Sequence, residues 1–527
     1  MKKNTHTMNP FHMGLLALLV SFCALPSPNE EAVLSRDFSE RYQTNDTGAV
    51  RMIGNTVVSC TSTFSPTNCT DARNGTLSTD LNNNEHFMSF VDVDTSTSTF
   101  NSSSATASLP ANIEVLFAGL YWGGETGGFA GSGVVAPDDA IKDEVKLRTP
   151  SSSAYQDITA NSCDETVTGS EFGVYYSCFA DITSLVPSTG SGAYTVANIQ
   201  TSQGYNSNGG WGIVFVYRDL NEPLRNLVVY DGFAAVTTAS TSSSQVTIDV
   251  SGFTTPATGN VSTNIGIISY EGDMLATNAR ALLNSTYISD VVNPSNNIFN
   301  STVSQFGQLA TNANPSWRNK FGFDVDMFDL PGLLGNTVSN ASITLETDGD
   351  FYYPAVVSFA TELYAPDVYM TLEVIDLNGG EVEPTDVLEY RFFVENLGID
   401  PADDVVISNV IPTGTTYQMG SMMVDASTQT DADDGDLGTL LTGPARVRFH
   451  LGNGANSTSG GSLLQNQSAR ATYRVVVNSD LMAGEQISNQ GLVDFVGRTL
   501  NNPITRISDD ANSTGGGATV VIIDSII

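Results

Sequence analysis

GGWGIVFVYRDLNEPLRNLVVYDGF, residues Gly209 to Phe233, is the stretch whose reading decides the fold of this chain. Its two apolar runs, Ile213 to Tyr217 and Leu224 to Tyr230, are rich in β-branched and aromatic residues and flank the polar segment Arg218 to Pro223. That is the pattern of two strands joined by a turn. Pro223 has no N–H to give to a ladder, so it marks where the turn ends and the second strand begins. Neither run alternates. Successive residues are apolar, which a strand tolerates only if both of its faces are covered. The stretch therefore predicts a hairpin at the centre of a large sheet sandwich.

The composition around it agrees. Only 15% of the 527 residues are charged, while Gly, Ser, Thr and Asn are abundant and long amphipathic runs are missing. This is the make-up of an all-β protein of short strands and polar turns, with room for roughly two to four domains. A net charge of −36 arises from 21 Lys plus Arg against 57 Asp plus Glu. Nucleic acid and anionic lipid are disfavoured as partners, because binding either requires clustered cations. An acidic surface suits solubility outside a cell, and its carboxylates can collect divalent cations.

The first 27 residues read as a secretory signal: Lys2 and Lys3 precede the apolar run Met13 to Ala24, which is too short to span a bilayer comfortably. Export is the expectation. Pro26 and Pro28 narrow the choice of cleavage point, and Phe22 stands before Cys23 where a lipoprotein signal wants a small residue. Beyond that segment the cysteines are Cys60, Cys69, Cys163 and Cys178. An even count in an exported chain predicts disulfides, and proximity pairs Cys60 with Cys69 and Cys163 with Cys178. A four-Cys metal site is the rival, without zinc-knuckle spacing.

From Ser35 to Arg73 the chain is polar and turn-rich, with a strand expected only at Ala49 to Val58. The low-complexity run Asp94 to Ser108 reads as a mobile loop. Strands are expected at Ala111 to Trp122, Gly173 to Phe179, Gly192 to Ile199, Gln245 to Val250, Asn264 to Glu271 and Tyr353 to Leu363, and a helix-compatible piece at Asp273 to Leu283. Ala365-Pro366-Asp367 is a domain boundary by its Pro-containing link. The expected organisation is thus a large, jelly-roll-like β-sandwich over residues 35–365, with two sub-sandwiches as a variant, followed by a smaller sandwich over 366–527. In the latter, Val387 to Glu395 puts Leu388, Tyr390, Phe392 and Val394 on one face and Glu389, Arg391 and Glu395 on the other. About seven strands with turn signals between them make an Ig-like sandwich the natural proposal.

The segments Glu389 to Gly398, Asp400 to Ala402, Ile411 to Tyr417, Gln467 to Val477 and Ser508 to Asp510 occur in that order. With them the C-terminal region resembles the surface-protein repeat filed as "domain of unknown function eleven", an Ig-like module of bacterial and archaeal envelope proteins. Gly119 to Gly124, the opening stretch, Tyr270 to Asp273, Asn293 to Ser304, Gly322 to Asp329 and Thr347 to Ala360 are similar to the large β-rich domain that often precedes such repeats. The resemblance implies an envelope or extracellular protein, adhesive or structural, with no catalytic residues to carry over. Such proteins often carry tandem repeats and an anchoring tail; here one repeat is expected and no wall-sorting pattern is legible.

Catalytic chemistry has little to work with. Beyond the N-terminal segment the histidines are His86 and His450, neither in a recognisable nucleophilic or zinc context. Lys142, Lys146 and Lys320 are the remaining lysines, so a Lys-to-Asn isopeptide cross-link within 366–527 is excluded. Carboxylates spaced at i, i+2 are the candidate calcium ligands: Glu271 and Asp273, Asp324 and Asp326 with Asp329, and Asp348 and Asp350. Asp431 to Asp436 is a weaker candidate, its Gly435 one place early for an EF-hand loop. Tyr121, Trp122, Tyr205 and Trp211 border Gly-rich segments and could stack on sugar rings, or fill the core instead. The sequence therefore reads as an exported, non-enzymatic, adhesin-like or structural protein of the cell surface or medium. Its partners would be an extracellular polymer or protein, or further copies of itself; calcium is the one cofactor in view. A carbohydrate-binding protein or a secreted carboxylate-based hydrolase is the alternative.

Overall fold

The computed structural model describes residues 33–62, 68–94, 96–128, 133–166, 174–219, 221–237, 244–499, 501, 503–513 and 516–524. The signal-like segment with Cys23 lies outside these residues.

The architecture is all-β, and it is organised by one strand the sequence hides. β1 (Val33–Thr56) is 24 residues long. Its first half pairs antiparallel with the strand Leu224–Ala235, from Val33 opposite Ala235 to Thr47 opposite Leu224. Its second half pairs antiparallel with Gly209–Arg218, from Gly48 opposite Arg218 to Thr56 opposite Gly210. In chain order the strands of the two central sheets are then β2 (Glu114–Glu125), β3 (Gly209–Arg218), β4 (Leu224–Ala235), β5 (Thr263–Tyr270), β6 (Phe323–Asp329) and β7 (Tyr353–Glu362). Sheet order runs β6, β5, β7, β4, β1, β3, β2, with shorter strands at both ends. The expected hairpin is therefore not formed. Among the described residues β3 and β4 pair with β1 and not with each other, so the turn between them links two sheets. Three register shifts in the first half of β1 break its period of two, which is why Ser35 to Thr47 reads as polar and irregular.

Both faces of each central strand are covered, as the apolar runs require. Val214 and Val216 of β3 share a core with Leu227 and Val229 of β4, Ile268 of β5 and Phe323 and Val325 of β6. The alternate residues Trp211, Ile213 and Phe215 pack instead with Val145, Leu147, Tyr194 and Val196 of a five-stranded outer sheet. On the other side Val228, Tyr230, Ile265, Ile267 and Phe359 meet Ile248, Ile343 and Leu345 of a four-stranded outer sheet. The result is a stack of four sheets with three apolar layers between them. Each fully buried side chain of this size contributes roughly 1.5–3 kcal/mol.

Close approach of the two inner sheets depends on glycine. A Cβ at Gly210 would lie 2.6 Å from the Phe323 ring, and one at Gly212 would lie 2.7 Å from Ile268 Cδ1.

Two local readings are corrected. Ser102–Ala107, inside the supposed mobile loop, is a strand paired with Gly192–Ala197, and Ser103 Oγ accepts a 2.8 Å bond from Trp211 Nε1. The sequence shows only its small polar residues, while the partner that buries them comes from 90 residues downstream. The helix-compatible piece holds the strand Ala279–Leu283, paired with Asn340–Thr347. Both cysteine pairs are bridged as expected, Cys60 to Cys69 and Cys163 to Cys178.

The second unit begins at Val368–Asp376 and is an Ig-like sandwich of a seven-stranded and a five-stranded sheet. Leu388, Tyr390, Phe392 and Val394 are buried in its core, while Arg391 and Arg474 ion-pair with Glu389 on the opposite face. The apolar stretch Ile487 to Val496 is split between Gln486–Asn489 and Leu492–Gly497, which belong to different sheets.

Gly210→Ala should lower the urea midpoint of the large unit by an amount equivalent to about 1–3 kcal/mol, because neither the β3 backbone nor the Phe323 ring can give way. An unchanged midpoint in equilibrium unfolding would contradict close packing at this point.

Candidate metal centre

One end of the inner sheets collects the acidic residues. β5 ends at Tyr270, and Glu271 follows with φ +79°, its N–H donating to Gly322 O at 2.7 Å. This left-handed step turns the chain over the sheet edge and places Gly272 where a Cβ would meet Phe299 O at 2.5 Å. Asp273 comes next. Asp350 arrives from the turn between Asn340–Thr347 and β7, with its N–H on Thr277 O at 3.1 Å and its own carbonyl accepting from Thr347 Oγ1. One carboxylate oxygen from each of Glu271, Asp273 and Asp350 lies within 4.8 Å of the others.

These groups are 1%, 5% and 7% exposed. Asp350 Oδ2 accepts from Asp273 N at 3.1 Å, and Asp350 Oδ1 from Phe351 N at 3.0 Å. Asp273 Oδ1 receives a long 3.4 Å contact from Asn83 N. Glu271 differs: neither of its carboxylate oxygens has a hydrogen-bond partner. Asn83 is fully buried, and neither atom of its amide is partnered, although the amide lies close enough to Glu271 to favour its charged form. Asn297 donates to Asp273 O and Met274 O while its Oδ1 stays unpaired. Burial, then the Asp273 and Asp350 charges, push the Glu271 carboxyl well above its usual range. Burial and then Asp350 do the same to Asp273, and burial lifts Asp350 to about 7.

Asp324 and Asp326 stand on one face of β6 and are both buried, but they serve different neighbours. Asp324 Oδ1 accepts from Thr302 N at 3.0 Å, and its unpartnered Oδ2 lies 2.8 Å from where a Gly272 Cβ would sit, on the side of the cluster. Asp326 accepts from Ser304 Oγ at 2.6 Å, farther along the strand, and burial raises its carboxyl to about 8. Asp348 does not join them. It is exposed and ion-pairs with Arg280 at 3.1 Å, because the tight turn at 348–350 rotates it away from Asp350. Asp329 is likewise exposed, accepting from Asn264. In the acidic loop of the second unit, Asp431 and Asp436 accept from backbone N–H groups, and Asp434 from Thr430 Oγ1. That loop satisfies itself.

Asn83 is the residue that sequence reading missed. It sits in the polar run Asn82-Asn83-Asn84-Glu85, where Glu85 accepts from Asn82 N at 2.9 Å. The N-x-x-E spacing of a capping box was the available signal, and it speaks of a helical turn rather than of a ligand.

The other candidates are also inside the fold. Trp122 and Trp211 are fully buried and Tyr121 is 2% exposed, so these rings fill the cores between sheets and offer no platform to a sugar. Tyr205 alone of the four reaches the surface, edge-on to Phe87. His86 and His450 are buried, each with one ring nitrogen on a backbone carbonyl at 2.8 Å. Lys320 is buried as well: its amine donates to Asn55 Oδ1 at 2.9 Å and to Pro315 O at 3.3 Å, and burial brings it down to about 7.

No protein-family model matches this chain, and no curated protein matches it. Among solved structures it aligns with a variant of the major pilin subunit of Bacillus cereus, at 13% identity over 30% of this chain and 40% of that one (TM-score 0.20). It aligns with a C-terminal fragment of a major pilin of Streptococcus agalactiae at 12% identity over 30% and 56% (TM-score 0.19). It aligns with a Corynebacterium diphtheriae protein described as membrane-anchored at 9% identity over 93% and 91% (TM-score 0.21). The chain thus spans less than two thirds of both pilin structures, and at these TM-scores none of the likenesses carries an argument.

Lys320 makes a pH prediction. The folded chain holds this proton less tightly than the unfolded chain, where a lysine titrates near 10.4. Between about pH 7 and about pH 10 unfolding therefore takes up a proton, and stability rises with pH. Wild type should gain on Lys320→Met across that window in paired denaturant titrations. Parallel pH profiles would show that the amine is not desolvated.

Proposed function

We propose that this chain is an exported, non-enzymatic scaffold that acts outside the cell by binding or assembly, as a structural or adhesin-like protein. The observation that carries the reading is where the reactive groups lie. Both histidines and the carboxylates Glu271, Asp273, Asp324, Asp326 and Asp350 are at most 7% exposed, packed within the fold instead of facing one another across an open cleft. A hydrolase needs its acid and base within reach of a substrate. Two disulfides support an oxidising destination. Among the described residues no helix is long and apolar enough to cross a membrane.

What such a scaffold offers to partners is its edges and loops. Pro503–Ile507 sits at the end of the five-stranded sheet of the second unit, with Ile507 58% exposed, and Pro503 at its start withholds one ladder donor. An unpaired edge of this kind can add a strand from another chain.

Fractionating a producing culture into medium, surface-accessible and membrane pools, with native sizing of the soluble pool, tests the reading. Surface-bound or polymeric material is the expected result. Monomer found only in the medium, or hydrolytic activity in it that co-purifies with the chain, would overturn it.

A further inference from the structure

The cluster at the end of β5 poses a problem that the fold itself does not solve. A buried ionised carboxylate without a partner costs several kcal/mol, and each unmet buried polar atom costs about 1–3 kcal/mol. Here the unmet atoms converge. Both Glu271 oxygens and both atoms of the neighbouring Asn83 amide are unpartnered, as are Asp324 Oδ2 beside Gly272 and the Oδ1 of Asn297, whose Nδ2 donates to Asp273 O. Elsewhere buried acids are supplied with donors: Asp231 takes ion pairs from Arg36 at 3.0 Å and from Arg41 at 2.6 Å, and Glu125 accepts from Gly127 N, Gly128 N and Ser202 Oγ. Among the described residues no Lys or Arg plays that part for Glu271, whose charged neighbours are Asp273, Asp350 and Asp324.

We propose that Glu271, Asp273 and Asp350 bind a divalent cation of the calcium class, with the Asn83 amide flipped so that its oxygen joins them. The donor set is all oxygen, which excludes the thiolate and imidazole chemistry that selects zinc or copper. Calcium accepts carboxylates and amide carbonyls together in a flexible shell, whereas magnesium dehydrates reluctantly and keeps several waters, for which a site this deeply buried is unsuited. Three carboxylates against a charge of +2 is within the range such sites use.

The ligands come from separated parts of the chain. Asn83 belongs to the small disulfide-bearing segment around Cys60–Cys69, Glu271 and Asp273 follow β5, and Asp350 precedes β7. Binding therefore ties that segment and its small core of Val58, Leu81, Met88 and Phe321 to the end of the inner sheets. The cation would be a clamp whose occupancy follows extracellular calcium. This inference does not rest on the scaffold reading, and it survives if the chain is found to act differently.

The test uses the full exported chain, stripped with chelator and shown metal-free by elemental analysis, then titrated with calcium chloride or magnesium chloride. Calcium should bind with one site lost in Glu271→Gln, and should raise the melting temperature of the wild type saturably by about 5 °C or more. Magnesium should do less. Asp348→Asn, an exposed neighbour outside the cluster, should respond as the wild type does. Equal melting of metal-free wild type with and without calcium would overturn the proposal, as would undiminished calcium binding by Glu271→Gln, which would place the ion on the acidic surface. If Glu271→Gln fails to fold, Asn83→Ala takes its place and should weaken calcium binding at least tenfold; unchanged affinity there removes Asn83 from the shell and with it the proposed site.

Discussion

Everything in the large unit hangs on the sharing of β1 between two sheets. A β-strand must spend its N–H and C=O groups on partners, and a 24-residue strand is too long for one sheet of this size to use. β1 divides its ladder: β4 takes the first half, β3 the second, and the change falls between Thr47 and Gly48. A Cβ at Gly48 would lie 2.0 Å from Tyr217 O, so the crossing point is closed to any other residue. Because one continuous backbone belongs to both inner sheets, their facing is set covalently as well as by packing. The outer sheets then cover the faces that remain, and three apolar layers follow from a single topological device.

A stack this thick has a consequence for polar groups. Strands buried on both faces bring their occasional charges inside, where a partner must be supplied by another element. Most are supplied. Asp231 on β4 is held by Arg36 and Arg41 of β1, and Asn55 of β1 bonds Ser104 O and Pro315 O while accepting from Lys320. At the end of β5 three acids and an unmatched amide meet, and among the described residues none of the acids has an ion pair. Asp326 and Lys320 are also buried without an ion pair, so what sets this place apart is three acids gathered around a carboxylate that has no donor.

The two units differ in how they treat their surfaces. The Ig-like unit sets its arginines at the surface, where Arg391 and Arg474 cover the buried Glu389 and Arg498 pairs with Asp403. Pairs at the surface contribute little to stability, and the sandwich rests on its apolar core. Chemistry, where the large unit has it, is internal, and the exterior of both units is loop and strand edge.

Several features were determined by the sequence alone, because they depend on residue type and local period. The all-β class follows from composition; the covered faces of Ile213 to Tyr217 and Leu224 to Tyr230 follow from unbroken apolarity; the core face of Val387 to Glu395 follows from alternation; and the cysteine pairs follow from their even number and proximity. The pairing of β1 could be decided only in three dimensions, since bulges erase its period and its partners lie far downstream, from Gly210 opposite Thr56 to Ala235 opposite Val33. So could the fate of the acids. Glu271, Asp273 and Asp350 converge while Asp348 faces solvent, because a left-handed step at Glu271 and a tight turn at 348–350 aim side chains in ways that i, i+2 spacing does not encode. Asn83 needed the tertiary structure most of all. An asparagine in a polar run has no periodicity to betray it, and only the neighbours that bury it show its amide to be unmet.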